Sequence, residues 1–189
     1  MRKLKLLSTI LVASFLLFGC NDSNKQHNQK KSTKKILDPN KFTLSTLKEE
    51  TITVKKNGDG YVVLNSPKKI VLFDIYATWC PPCRIETKTL SNLAEKYKDN
   101  LVVIGVSVEE FAAKETLQSF KSENNINYPL TLGSENKRFI DSITETLHIG
   151  KHFPIPLMAL YKDGKLLNSY SGMTEEEFIA SDIKKALGK

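Results

Sequence analysis

The chain has 189 residues, of which 40% are hydrophobic, enough for one domain of ordinary size with a core of its own. Its formal charge is +7, but nine of the 28 basic and two of the 21 acidic residues fall in the first 41 positions, which leaves nineteen of each sign in the rest. A charge-balanced domain whose only arginines besides Arg2 are Arg84 and Arg138 lacks the clustered basic face of a nucleic-acid binder, so nucleic acid is not expected as a partner.

The chain opens MRKLKLLSTILVASFLLFGC. Arg2, Lys3 and Lys5 make a positive start, and Leu6 to Phe18 is an apolar run too short to cross a bilayer comfortably as a helix. The run ends in LFGC, Leu17 to Cys20, which resembles the lipobox of bacterial lipoproteins, although Phe18 is bulkier than the small residue usual there. The resemblance implies a leader over residues 1–19, a diacylglyceryl thioether on Cys20, and attachment to a bacterial membrane on its extracytoplasmic (periplasmic) face, with inner and outer membrane both open. The alternatives are a plain secretory leader that happens to contain a cysteine, and an uncleaved anchor. Residues 21–41 are polar, basic and without apolar period, which reads as a flexible tether from Cys20 reaching on the order of 25 Å.

The pattern changes at Phe42, where the domain 42–189 is expected to begin. FTLSTL, TITVKK and GYVVLN are short β-type runs, and NGDG between the last two is a hairpin turn signal, so an N-terminal β-hairpin is expected. KIVLFDIYA, Lys69 to Ala77, is apolar and β-branched enough for a buried central strand, and LVVIGVSV, Leu101 to Val108, for a second. Between them, Pro82 to about Lys98 reads as a helix with Leu90, Leu93, Ala94 and Tyr97 on one face. Helices are expected at Lys114 to about Glu123 and at Arg138 to Leu147, then a strand pair about Asp163–Gly164, then a closing helix whose Thr174 and Glu177 fit a capping box. The order predicts an α/β fold, a mixed sheet flanked by helices.

The chemistry concentrates in YATWCPPC, Tyr76 to Cys83. If Cys20 carries lipid, Cys80 and Cys83 are the remaining thiols, in a compartment that permits disulfides. A strand followed at once by a helix puts Cys80 at the helix N-terminus, where the macrodipole and free N–H groups favour a thiolate. Cys80 is thus expected as the accessible attacking thiol and Cys83, one turn on, as the shielded thiol that resolves a mixed disulfide. Pro81 and Pro82 have no N–H, and no histidine lies between the cysteines, so the thiolate has few donors and the site leans towards a reductant or mild exchanger. A permanent disulfide and half of a zinc site are the competing readings; His148 and His152 are the only histidines outside the tether and form no metal motif, so no metal and no cofactor are expected.

WCPPC resembles the W-C-x-P-C of thioredoxin-fold oxidoreductases of the TlpA/ResA/CcmG type, and the similarity extends over roughly Phe42 to Lys189. The resemblance implies a thioredoxin-like fold and redox-active Cys80 and Cys83. Pro156, eight residues before Gly164, matches the thioredoxin cis-proline, which implies that Ile155, Pro156 and Trp79 meet an extended substrate; a trans edge proline is the alternative. Asp74, six residues before Cys80, matches the buried aspartate of cytoplasmic thioredoxins where TlpA-like proteins commonly have asparagine; burial would raise its pKa until it exchanges a proton with Cys83. An exposed aspartate on the other strand face is the alternative. Glu86 matches a glutamate near the ResA-like active site, against an ordinary solvated helix residue.

The resemblance implies a membrane-anchored extracytoplasmic thiol-disulfide oxidoreductase, acting as a reductase of protein disulfides or CxxC thiols, with apocytochrome c in cytochrome c maturation as a substrate and a membrane electron donor of the DsbD/CcdA type. A Sco-like copper metallochaperone on the same fold would want CxxxC and a distal histidine, and a thiol oxidase or isomerase would need a more stabilised thiolate. The peroxidatic P-x-x-x-T/S-x-x-C pattern of peroxiredoxins is absent from the sequence.

Overall fold

The structure, a computed structural model, describes residues 38–189. The expected leader, the lipidation candidate Cys20 and most of the expected tether lie outside the described residues.

In chain order the elements are β1 (Lys41–Thr46), β2 (Thr51–Asn57), β3 (Gly60–Val63), β4 (Ile70–Tyr76), α1 (Pro81–Lys96), β5 (Leu101–Ser107), α2 (Lys114–Glu123), β6 (Leu130–Leu132), α3 (Glu135–Thr146), β7 (Leu157–Lys162), β8 (Lys165–Ser171) and α4 (Glu176–Ala186). The strands form one mixed sheet in the order β3-β2-β1-β6-β5-β4-β7-β8. β4 is central, parallel to β5 and antiparallel to β7, and Asp74 stands opposite Gly105 on one side and Met158 on the other.

The structure extends one expectation, adds one strand and corrects one expectation. The expected N-terminal hairpin forms between β2 and β3, and β1 pairs with β2 to extend it into a three-stranded antiparallel meander. It joins the sheet through β6, a three-residue strand between β1 and β5 that is too short to carry a period of its own. The capping box of α4 does not form: Glu175 is the cap residue and no side chain caps the helix, because the Thr174 N–H is donated to the Glu86 carboxylate 3.0 Å away.

The sheet buries both faces, which is why β4 reads as a continuous apolar run. Alternation sends Ile70, Leu72 and Tyr76 into a core with Leu90 and Leu93 of α1, Phe120 of α2 and Ile179 and Ile183 of α4. Val71, Phe73 and Ile75 pack on the other face against Phe139, Ile140 and Ile143 of α3. There Phe73 and Phe139 meet edge-on with centroids 4.8 Å apart, and Tyr61 meets Phe139 at 5.4 Å, the tilted geometry that aromatic quadrupoles favour. Asp74 is in phase with the first set and therefore lies on the α1 side.

The two outermost strands approach each other at their turns. A Cβ added at Gly60 would stand 1.5 Å from the Gly164 carbonyl oxygen, so only glycine lets the β2–β3 turn sit against the β7–β8 turn. Gly60→Ala must push backbone apart and is expected to cost about 1–3 kcal/mol, read as a fall in chemical-denaturation stability. A variant as stable as the wild type would show that this contact constrains nothing.

Candidate active site

β4 ends at Tyr76, and four residues later Cys80 caps α1 in an extended conformation, φ −87° and ψ 111°, with prolines in the first two helical positions. The prolines fit because the first helical N–H groups have no partner within the helix. They also leave the Cys83 N–H as the backbone donor that reaches Cys80 Sγ, at 3.2 Å. The two sulfurs form a disulfide with the Cα atoms 5.3 Å apart.

The peptide bond Ile155–Pro156 is cis. The Ile155 carbonyl oxygen lies 3.7 Å from Cys80 Sγ, a position from which it accepts a hydrogen bond once Cys80 is reduced to a thiol. Trp79 is 66% exposed and borders an open groove of about 1140 Å³ with Val108, Ile149, His152, Phe153 and Ile155. The structure therefore brings Trp79, Ile155 and the disulfide together. Accessibility does not separate the cysteines as expected: Cys80 is 3% exposed and Cys83 2%. Position separates them instead, since Cys80 faces the Ile155 carbonyl while Cys83 lies within the first turn of α1.

Asp74 is 2% exposed, which excludes the solvent-facing alternative. Its carboxyl accepts from the Tyr128 hydroxyl at 3.3 Å, and its second oxygen has no partner among the described residues. Gly105 makes that contact possible, because a Cβ there would stand 3.3 Å from the Tyr128 ring and 2.5 Å from Leu130. Burial outweighs the Tyr128 hydrogen bond and, with the nearby Glu86 charge, pushes Asp74 up to about 7. Glu86 is also buried, contrary to the solvated-residue alternative, and burial raises its pKa although the Thr174 N–H counteracts the shift. Asp74 therefore takes up and releases a proton near neutral pH.

Glu109 escaped the sequence reading. One carboxylate oxygen accepts from the Thr78 N–H at 2.6 Å and the other from the Thr78 hydroxyl at 3.0 Å, two residues before Cys80. A carboxylate just past a buried strand is the only cue in the sequence, and many solvated residues share it. Among the described residues no three His, Cys, Asp or Glu side chains gather as metal ligands.

Residues 38–143 match the AhpC/TSA family. The chain belongs to that family. Among curated relatives, the thiol-disulfide oxidoreductase ResA of Bacillus thuringiensis subsp. konkukian is 28% identical over 152 residues, 73% of this chain and 81% of ResA. Thioredoxin-T of Drosophila melanogaster is 48% identical over 42 residues, 22% of this chain and only 27% of that protein's length. The solved structure of StoA from Bacillus subtilis aligns with a TM-score of 0.56 at 18% identity, covering 77% of this chain and 98% of StoA. The fold is thioredoxin-like, a mixed sheet flanked by helices.

The raised Asp74 pKa has a definite consequence for stability. Between the ordinary value of 3.8 and about 7, the folded protein holds a proton that the unfolded chain has released. Asp74 therefore favours folding below about pH 4, and that contribution is lost as pH rises towards 7. Asp74→Asn is expected to gain stability over the wild type progressively across this window in urea titrations. A difference that is the same at pH 4 and pH 8 would contradict it.

Proposed function

We propose that this protein is a thiol-disulfide oxidoreductase that reduces protein disulfides on the extracytoplasmic side of a bacterial membrane, held there by lipid on Cys20. In this reading residues 1–19 are the leader, 20–41 the tether and 42–189 the catalytic domain. The observation that supports it most is a CxxC disulfide at a helix N-terminus beside a cis-proline and an exposed tryptophan, in a domain that buries the Asp74 carboxyl on the α1 side of the sheet with a pKa near 7.

The reduced Cys80 thiolate attacks one sulfur of a substrate disulfide, which breaks, and the leaving sulfur takes a proton. Asp74, in carboxylate form, accepts the Cys83 proton. The Cys83 thiolate then attacks Cys80 Sγ, breaking the mixed disulfide and releasing the second substrate thiol. The substrate gains two electrons and two protons, and the Cys80–Cys83 disulfide is restored. A membrane donor of the DsbD/CcdA type returns the electrons. Trp79, Ile155 and Pro156 seat the substrate chain, and Glu86 assists proton movement near α1.

The substrate proposed is apocytochrome c, whose C-x-x-C-H cysteines must be reduced before haem is attached. Cys83→Ser expressed in the native host is expected to hold apocytochrome c in a mixed disulfide through Cys80, and Cys80→Ser to hold none. Trapped partners that include no c-type cytochrome would overturn the substrate. Cys20→Ala is expected to move the protein from the membrane fraction into a soluble extracytoplasmic pool, and firm retention would overturn the anchor.

A further inference from the structure

We propose that the loop between β5 and α2, residues 108–113, is a docking arm for protein substrates, with Phe111 as its apolar anchor; this rests on the exchange reading above. Phe111 is 89% exposed, more than Trp79, Ile85 or Phe178. An apolar ring held almost entirely in water forgoes the stabilisation of burial, so a place near a reactive centre points to a partner that covers it.

The loop is fixed to the structure that carries the cysteines. The Val108 N–H is donated to the Tyr76 carbonyl at 2.9 Å, at the end of β4. One residue on, Glu109 grips the N–H and hydroxyl of Thr78. The Glu109 backbone N–H is itself donated to Ser107 Oγ, and its carbonyl accepts from the Ala112 N–H, which closes a turn around Phe111. Two independent ties thus join this loop to the segment 76–78, immediately before Trp79 and Cys80. An aromatic side chain on a fastened loop loses little freedom when a partner covers it, which favours its use as an anchor.

The site's geometry identifies the occupant as polypeptide. Val108 and Glu110 of this loop share the groove with Trp79 and Ile155, so a chain laid beside the Ile155 backbone, with its sulfur at Cys80, runs along the bank that the loop forms. The groove is lined by Glu110, Glu145 and Lys151 and by the Lys137–Asp141 ion pair of α3, charges of both signs that suit a peptide backbone with mixed side chains better than a single anion. Phe111 follows the groove-lining Glu110 and is not itself part of the lining, so a small disulfide at Cys80 need not touch the ring, whereas an extended segment that runs on past Glu110 would cover it. The loop therefore supplies discrimination between protein and small-molecule disulfides.

The test compares two disulfides on the full-length protein, insulin and oxidised glutathione, with dithiothreitol as reductant. Phe111→Ser is expected to lower kcat/KM for insulin about tenfold, mainly through KM, while the glutathione disulfide rate stays within about twofold. Phe111→Leu should retain most of the insulin rate. Phe178→Ser, an equally conservative loss of an exposed ring on α4, should change neither rate. Equal effects of Phe111→Ser on both disulfides, or no effect on insulin, would overturn the docking arm while the exchange reading stands. A wild-type protein that reduces neither disulfide would overturn the exchange reading and this inference with it. If Phe111→Ser instead leaves both rates intact but weakens binding to anionic lipid vesicles, the ring is a membrane contact and the docking arm is wrong.

Discussion

The chemistry of this molecule depends on how few hydrogen-bond donors face one sulfur. Cys80 occupies the cap of α1, where a helix normally offers several free N–H groups and the positive end of its dipole. Pro81 and Pro82 remove two of them, and the Cys83 N–H is the donor that remains in reach. Everything around this turn serves to aim it. β4, paired on both sides, fixes the point from which the turn leaves the sheet, and Glu109 clamps the residues between strand and helix. Ile155 presents its carbonyl from the opposite side.

The second requirement is a proton acceptor that does not stay charged. That is the role proposed for Asp74, which is buried on the α1 face at a real cost. A shift from 3.8 to about 7 corresponds to on the order of 4 kcal/mol at neutral pH, a large part of the 5–15 kcal/mol that a domain of this kind has in total. Glu86 adds a second buried carboxyl and also binds the start of α4 to α1 through the Thr174 N–H. Two buried acids, each with an oxygen lacking a partner among the described residues, weaken the fold. Their joint presence beside a CxxC pair is what the proposed exchange chemistry would need.

Much of this could be read from residue patterns. β4 and β5 announced themselves as apolar β-branched runs, and the CxxC spacing, with the thioredoxin resemblance at Asp74 and Pro156, pointed to a disulfide, a buried carboxyl and a cis peptide bond that the structure contains. What could not be read depended on tertiary contact. β6 has three residues and exists only because β1 and β5 leave a place between them. Thr174 and Glu177 have capping-box spacing, but a buried carboxylate from another helix takes the N–H first. Glu109 and Phe111 look like ordinary loop residues until the turn folds against Thr78. The shielding of Cys80 likewise comes from packing around the cap rather than from its place in the sequence.

The reduction potential of the Cys80–Cys83 couple tests the central claim most directly. Equilibrating the protein with graded dithiothreitol or glutathione buffers and counting free thiols would give it. A thiolate with one strong donor gains little stability in the reduced state, so the value is expected nearer thioredoxin, about −270 mV, than DsbA, about −120 mV. Each 30 mV is about 1.4 kcal/mol for this two-electron couple, so the two outcomes are well separated. A value above about −170 mV would contradict the account, because it would mean that the reduced form is stabilised by interactions that the donor-poor first turn of α1 does not supply.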